Sequence, residues 1–389
     1  MNARNGRPPP AERRCEPMIL VSRHAEAAGG PFQASLRMEP ATRVDLIDVR
    51  GVLRREFGTA FTRYPKASYI SDHTTAGYLD RRLANVLQHD GDNIHDYLQV
   101  FRKLFPPEAG YVHDELHLRK ELSDEQRARE PRNGDSHLTF MGGGLRSCVS
   151  YELREDTPVW FVELDGVHAG GIRRRHTTVL GYEREEDVLR MQLLVPSSPH
   201  PIDARNLRDP RFRFIGRLHD LIRAHGVTFG RFDISLPVTE RHAGLTVNEY
   251  ETLLMGHDLR DVLANPLHFM ARLGREALRA PSAIPAQARN YARYDALRLL
   301  NELMDRVRVR RSAVERLVNR ALAVPVSHFL RMKRRISLPI LGRRGAGAGR
   351  IGWGAHQSPI LVQWRAPARP TRTLNVRLVR FVAGGGSPR

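Results

Sequence analysis

The stretch Pro158–Tyr182 leaves this chain fewer choices than any other. Pro158-Val-Trp-Phe-Val-Glu-Leu-Asp-Gly166 is dense in β-branched and aromatic residues and closes on a turn signal, and Ile172 to Tyr182 repeats that character. Such runs favour strands, and Val167-His-Ala-Gly-Gly171 between them predicts a hairpin. The rest of the chain must supply partners for these strands.

Upstream, residues 1–34 are rich in Pro, Ala, Gly and Arg and predict a disordered segment. Gly51-Val-Leu-Arg-Arg-Glu-Phe57 reads as a short helix. Ala67-Ser-Tyr-Ile-Ser71 reads as a strand that delivers Asp72-His73-Thr-Thr-Ala-Gly77 to its end. Helical spacing runs from Leu79 to Leu104, and Pro106-Pro107 stops it. The character changes after about Asp187. Residues 188–202, with Pro196, Pro199 and Pro201, predict a linker. Residues 203–341 predict a mainly helical region, with helices over Phe212–His225, Val247–Val262, Pro266–Leu278 and Arg289–Leu322 and a strand at Arg231–Leu236. Residues 342–389 are Gly/Arg/Pro-rich and predict a disordered tail. No internal repeat is evident.

Charge is unevenly placed. The net charge is +19, yet 13 Lys and Arg and no acidic residue lie from Arg331 onward, which leaves about +6 for the first 330 residues. The basic excess therefore speaks for the tail and poorly for a nucleic-acid-binding core. Two cysteines, Cys15 and Cys148, are too few for a disulfide framework and predict a reducing, cytoplasmic setting. No apolar run approaches the ~20 residues that span a bilayer.

Candidate chemistry centres on Asn133–Val149. Asp135 and His137 lead into an apolar run, and Gly142, Gly143 and Gly144 follow, as a bend or as a cradle for a ligand. Three other segments share this polar character: Asp72-His73-Thr74-Thr75, His113-Asp114-Glu115 with His117, and Glu163-Leu-Asp165. His73, His113 and His137, each beside a carboxylate or hydroxyl, are candidate ligands for one divalent metal, zinc or magnesium. The competing reading is that strand ends simply hold some of the chain's 17 histidines. Arg173-Arg174-Arg175 is a candidate phosphate grip or a solvated strand end. Cys148 reads as a small buried hydrophobe.

These motifs carry a resemblance in their order. His73-Thr-Thr-Ala-Gly77, Gly110-Tyr-x-His113, Asn133-x-x-x-His137, Val159-Trp-x-x-x-Glu-x-Asp-Gly166 and Arg173-Arg-Arg-x-Thr-x-Val-x-Gly181 together resemble the YjbQ family over about residues 36–183. Members of that family are also described as secondary thiamine-phosphate synthases. The resemblance implies an α+β domain with a mixed β-sheet or sandwich core at about residues 35–187, assembled as a homotrimer around a histidine-containing polar site. It also implies a reaction that joins hydroxymethylpyrimidine diphosphate to thiazole phosphate. His73, His113, Asn133 and His137 fall on the family's polar positions. The family's acidic segment after His-Thr-Thr has no full counterpart, and Asp80, followed by Arg81 and Arg82, is the nearest substitute.

The resulting expectation has His73, His113 and His137 on a metal and Asp80, Asn133, Asp135 and Glu163 as catalytic groups. Thr74, Thr75, Gly143, Gly144, Arg173 and Arg175 then hold a small phosphorylated substrate. The alternative is a non-enzymatic assembly module whose basic tail contacts RNA or an acidic partner.

Overall fold

The computed structural model describes residues 18–23, 30–108, 111–118, 123–152, 157–168, 171–197, 203–248, 333–342, 347–363 and 368–384. In the first half these form β1 (Met18–Arg23), β2 (Phe32–Glu39), β3 (Asp45–Asp48), α1 (Val49–Phe57), α2 (Thr59–Thr62), β4 (Lys66–Ser71) and β5 (Ala76–Gly77). There follow α3 (Arg81–Val86), α4 (Gly91–Leu104), α5 (Asp124–Arg129), α6 (Gly134–Gly142), β6 (Cys148–Glu152), β7 (Trp160–Glu163), β8 (Val167–His168), β9 (Gly171–Ile172) and β10 (Arg175–Tyr182). The helices start where an aspartate can hold orphan amides: Asp48, Asp80 and Asp90 accept from Gly51, Leu83 and Asn93. An antiparallel sheet runs β1-β2-β10-β4-β6, and a small one runs β3-β7-β5. The predicted hairpin survives only as β8 against β9, because β7 and β10 go to different sheets.

The second half contains β11 (Arg184–Pro196), β12 (Asp203–Asn206), α7 (Phe214–Ala224), β13 (Gly230–Ser235), β14 (Ala243–Asn248), β15 (Arg335–Leu341), β16 (Arg350–Ile351), β17 (Gln357–Gln363) and β18 (Thr371–Val382). Its large sheet runs β11-β18-β13-β15-β16 and its small one β12-β17-β14. This is the first half over again. β2, β10, β4 and β6 correspond to β11, β18, β13 and β15, and the small sheets correspond strand for strand. Register agrees as well as order. Glu163 lies opposite Asp45 and Ala76, as Gln363 lies opposite Asp203 and Ala243. Val179 pairs with Tyr69 and Val376 with Ile234, and four residues ahead of each valine stands a buried arginine, Arg175 or Arg372. The chain is a tandem pair of one topology, where the sequence alone shows no repeat.

Each repeat has its own core cluster, but the two are not sealed from each other. The first gathers Phe32, Tyr69, Tyr78, Phe140 and Phe161, and also takes Ile360 and Val362 from β17 of the second. The second gathers Phe214, Leu218, Phe232 and Leu338. A third cluster joins them across the backs of the large sheets: Ile70, Cys148, Leu180 and Tyr182 against Val379 and Phe381, with the Tyr182 and Phe381 rings stacked at 4.0 Å. Arg231 adds a polar tie, reaching Glu185 at 2.7 Å and the Ser150 hydroxyl at 3.2 Å.

Several expectations need correction. Residues 18–23 form a strand paired to β2, where a disordered segment is predicted. The predicted linker begins inside β11, whose long antiparallel pairing with β18 absorbs Pro196 at its end. Between 203 and 341 the described residues hold more strand than helix; α7 and β13 match the predicted helix and strand, whereas Val247 and Asn248 belong to β14. The predicted helices over 266–278 and 289–322, and the rest of 247–262, lie outside the described residues. The tail predicted to be disordered supplies β16, β17 and β18. Three of its described arginines pair with carboxylates: Arg372 meets Glu240 at 2.9 Å, Arg377 meets Asp187 and Arg380 meets Glu186. No helix among the described residues is long and apolar enough to cross a membrane.

Candidate functional site

Most of the predicted site residues come together, but as a closed network beneath the surface. Glu163, at the end of β7, is fully buried. Its carboxylate accepts from Nε and Nη2 of Arg175 and from the backbone amides of Leu164 and Asp165, the latter two at 2.9 and 2.7 Å. Burial pushes the Glu163 carboxyl up, and the Arg175 charge opposes it. Arg175 also donates to Thr75 Oγ1 and to the Asp165 carbonyl, each at 3.1 Å. The Nε and Nη2 edge of this guanidinium is thus fully engaged, as suits a buried charge.

Asp165 links this knot to the next. Its carboxylate accepts from Asn133 Nδ2 at 2.9 Å and pairs with Arg173 at 2.9 Å. Asn133 opens α6, a wholly buried helix whose first amide is capped by Asp114 (2.9 Å) and not by Asn133 itself. Asp114 Oδ1 also accepts from His113 Nδ1 at 3.0 Å, and the His113 ring lies 5.0 Å from that of His137. Asp135, one helical residue on from Gly134, is clasped by Arg43 at 2.8 and 3.0 Å. Burial lifts its carboxyl to about 6 despite the Arg43 charge.

Two features of the expected site change. Asn133–Gly144 reads as a strand end and glycine loop, yet it is a helix and its stop. Gly143 donates to the Thr139 carbonyl at 2.8 Å and Gly144 has φ +69°, so these glycines close α6 and do not line a ligand. The three histidines do not converge either. Among the described residues no group of three or more His, Cys, Asp or Glu is placed to hold a metal. His113 and His137 pair inside the network, while His73 stands in a cleft on its outside, so the donor set does not fit the predicted metal.

That cleft, of about 460 Å³, lies between the repeats. One wall carries His73, Asp80, Arg81, Arg82 and Arg146; the other carries Lys333, Arg335, Ser337 and Gln357. His73 follows β4 and is held from both sides. The amide of His176 donates to its Nε2 at 2.7 Å, and Gln357 donates to the carbonyls of Ser71 and His73, each at 2.9 Å. Burial drives the His73 pKa well down, helped by the charges of Arg175, His176 and Arg173. The ring is therefore neutral near pH 7, and with Nε2 accepting, its proton sits on Nδ1. Asp80 lines the same cleft and caps α3. Thr74, half-buried beside His73, completes the loop to Thr75. Cys148 lies at the cleft and is an inert thiol, since burial pushes it up to about 11.

Sequence reasoning names His73 and Asp80 in this cleft and misses the cations around them. The run Lys333-Arg334-Arg335 is visible in the sequence, but nothing local says that it faces the His73 loop across some 260 residues.

Among comparisons with known proteins, no family model matches and no curated protein does. Solved structures do. A YbjQ-like protein of unknown function from Sulfolobus solfataricus P2 aligns at 14% identity over 51% of this chain and 99% of its own, with a TM-score of 0.26. A hypothetical protein from Aeropyrum pernix K1 aligns at 15% over 51% of this chain and 100% of its own (TM-score 0.23). An uncharacterised conserved protein of the YjbQ family from Clostridium acetobutylicum aligns at 14% over 49% and 99% (TM-score 0.23). The solved structures that this chain is similar to, over about half its length, are thus YjbQ-like proteins.

Proposed function

We propose that the chain is a YjbQ-like protein that binds a phosphorylated small molecule in the cleft beside His73 and acts as a transferase of the thiamine-phosphate synthase type. The observation that carries this reading is the cleft's electrostatic make-up: Arg81, Arg82, Arg146, Lys333 and Arg335 against the single carboxylate of Asp80, around a neutral imidazole. A volume of about 460 Å³ suits a small phosphate ester. The reaction forms a bond from the thiazole ring nitrogen to the pyrimidine methylene carbon and breaks that carbon's bond to oxygen, so pyrophosphate leaves with the electron pair. The guanidinium groups neutralise charge growing on the leaving group. His73 donates from Nδ1 and is not a base, because its other nitrogen is already engaged. Glu163, Arg175, Asp165 and Asn133 hold the wall from behind and do not touch the ligand.

The test is to incubate the purified chain with hydroxymethylpyrimidine diphosphate, thiazole phosphate and a divalent cation, and to measure thiamine phosphate and pyrophosphate. His73→Ala is expected to lower turnover about tenfold or more, the usual effect of one positioned donor. No product from either protein sinks the synthase reading.

A further inference from the structure

The two repeats have the same frame but no longer the same equipment. Four residues beyond the paired position of β4 stands His73; four residues beyond its counterpart in β13 stands Val238, exposed to solvent. Glu163 is replaced at its register by Gln363. Arg372, the counterpart of Arg175, takes its carboxylate instead from Glu240, two residues beyond Val238. The second repeat has therefore lost the histidine and moved the acid that define the first repeat's site.

What the second repeat presents to that site is positive charge. Arg335 stands where the first repeat has Cys148: each precedes by one residue the core position paired with Ile234 or Tyr69. In the first repeat this position is a small buried thiol; in the second it is an exposed guanidinium at the mouth of the cleft. Lys333 lies two residues before it, its ammonium 5.0 Å from the centre of the Phe140 ring on the far wall. Arg146 donates to the Arg335 carbonyl at 2.9 Å, so the two cationic walls are tied edge to edge. Among the described residues Arg81 meets Glu152 at 3.1 Å, and Arg146 meets Asp80 at 4.0 Å. Arg335 has no carboxylate partner among them.

We infer that the second repeat serves as the anion-binding wall of the first repeat's site, with Lys333 and Arg335 as the residues that grip a compact polyanion of the diphosphate class, one per chain. This rests on the cleft's taking a phosphorylated ligand and does not depend on which reaction follows. Cations on two facing walls match a group with charge on both ends better than a single phosphate, which one wall satisfies. Arg335 and Lys333 thus set the preference for diphosphate over monophosphate.

The test uses the full chain and inorganic pyrophosphate, with inorganic phosphate as comparison, by isothermal titration at low salt. One pyrophosphate per chain is expected, with weaker binding of phosphate. Arg335→Gln and Lys333→Gln are each expected to weaken pyrophosphate about tenfold or more and to narrow its advantage over phosphate, as loss of one charge-assisted contact does. Arg184→Gln, outside the cleft, should bind as the unaltered chain does. Unchanged circular dichroism confirms that the variants fold, as exposure of Arg335 leads one to expect. No pyrophosphate binding, two equivalents per chain, or binding unaffected by both substitutions would each overturn the inference. Pyrophosphate binding that depends on Arg335 in a chain that makes no thiamine phosphate would uphold it while the synthase reading fails.

Discussion

Asp72 sits at the turn between β4 and His73, and burial alone raises its carboxyl to about 6. A folded-state value above the ordinary one for aspartate means that the native chain holds this proton more tightly than the unfolded chain. The penalty is absent below about pH 3, grows as pH rises between about 4 and 6, and is complete above that. Asp72→Asn keeps the shape and removes the charge, so it should stabilise the fold by about 3 kcal/mol at pH 8 and change nothing near pH 3. Urea unfolding at the two pH values reads this directly. The Glu163–Arg175 pair makes a different prediction. Arg175→Ala strands a buried carboxylate and should cost about 3–5 kcal/mol. Glu163→Gln should cost less, since a glutamine oxygen can still accept from Arg175 as Gln363 accepts from Arg372, although Arg372 also keeps the Glu240 carboxylate. If the two variants prove equally unstable in the same unfolding experiment, that comparison between repeats is misleading.

At the scale of elements, the His73 loop is shaped by the second repeat as much as by β4. Gly354 packs directly onto the Asp72 carbonyl, where any side chain would collide with backbone. Gly354→Ala is expected to push the loop and the β16–β17 connection apart, lowering stability by about 1–3 kcal/mol and loosening the cleft. Thermal unfolding together with pyrophosphate titration would separate the two effects. This arrangement also explains what the sequence reveals and what it conceals. Strands such as β4 and β13 and the helix α7 follow from local patterning, and His73 and Asp80 are found by their neighbours. The nature of 133–144 is hidden because α6 is buried on all sides, so its apolar residues show no helical stripe. The tail deceives for a related reason. Gly-, Arg- and Pro-rich composition suggests disorder, yet β17 is buried at every position and β18 alternates except at Leu378-Val379 once its partners, some 140 to 200 residues earlier, are known. The repeat itself is written in isolated coincidences, such as Ala76-Gly77 and Ala243-Gly244, too sparse to notice without the pairing registers.

For the whole molecule, the cores are not separable at the boundary between the repeats. Ile360 and Val362 belong to the first repeat's core although they come from the second half. Residues 1–183 expressed alone should therefore be unstable or self-associating, and co-expression with 184–389 should recover a soluble pair. A soluble, monomeric, cooperatively unfolding 1–183 fragment would show that the shared core matters little. The join between the halves has a wider consequence. β10 ends at Tyr182 and β11 begins at Arg184, so a single residue, Glu183, connects them. Two copies held by so short a tether meet at an effective concentration set by the chain and not by how much protein a cell makes. In an assembly of identical subunits a substitution arrives on every copy at once, and a change that suits one side of an interface must be tolerated on the other. A covalent pair escapes that constraint: Val238 can stand where His73 does, and Arg335 where Cys148 does, because each change is made only once.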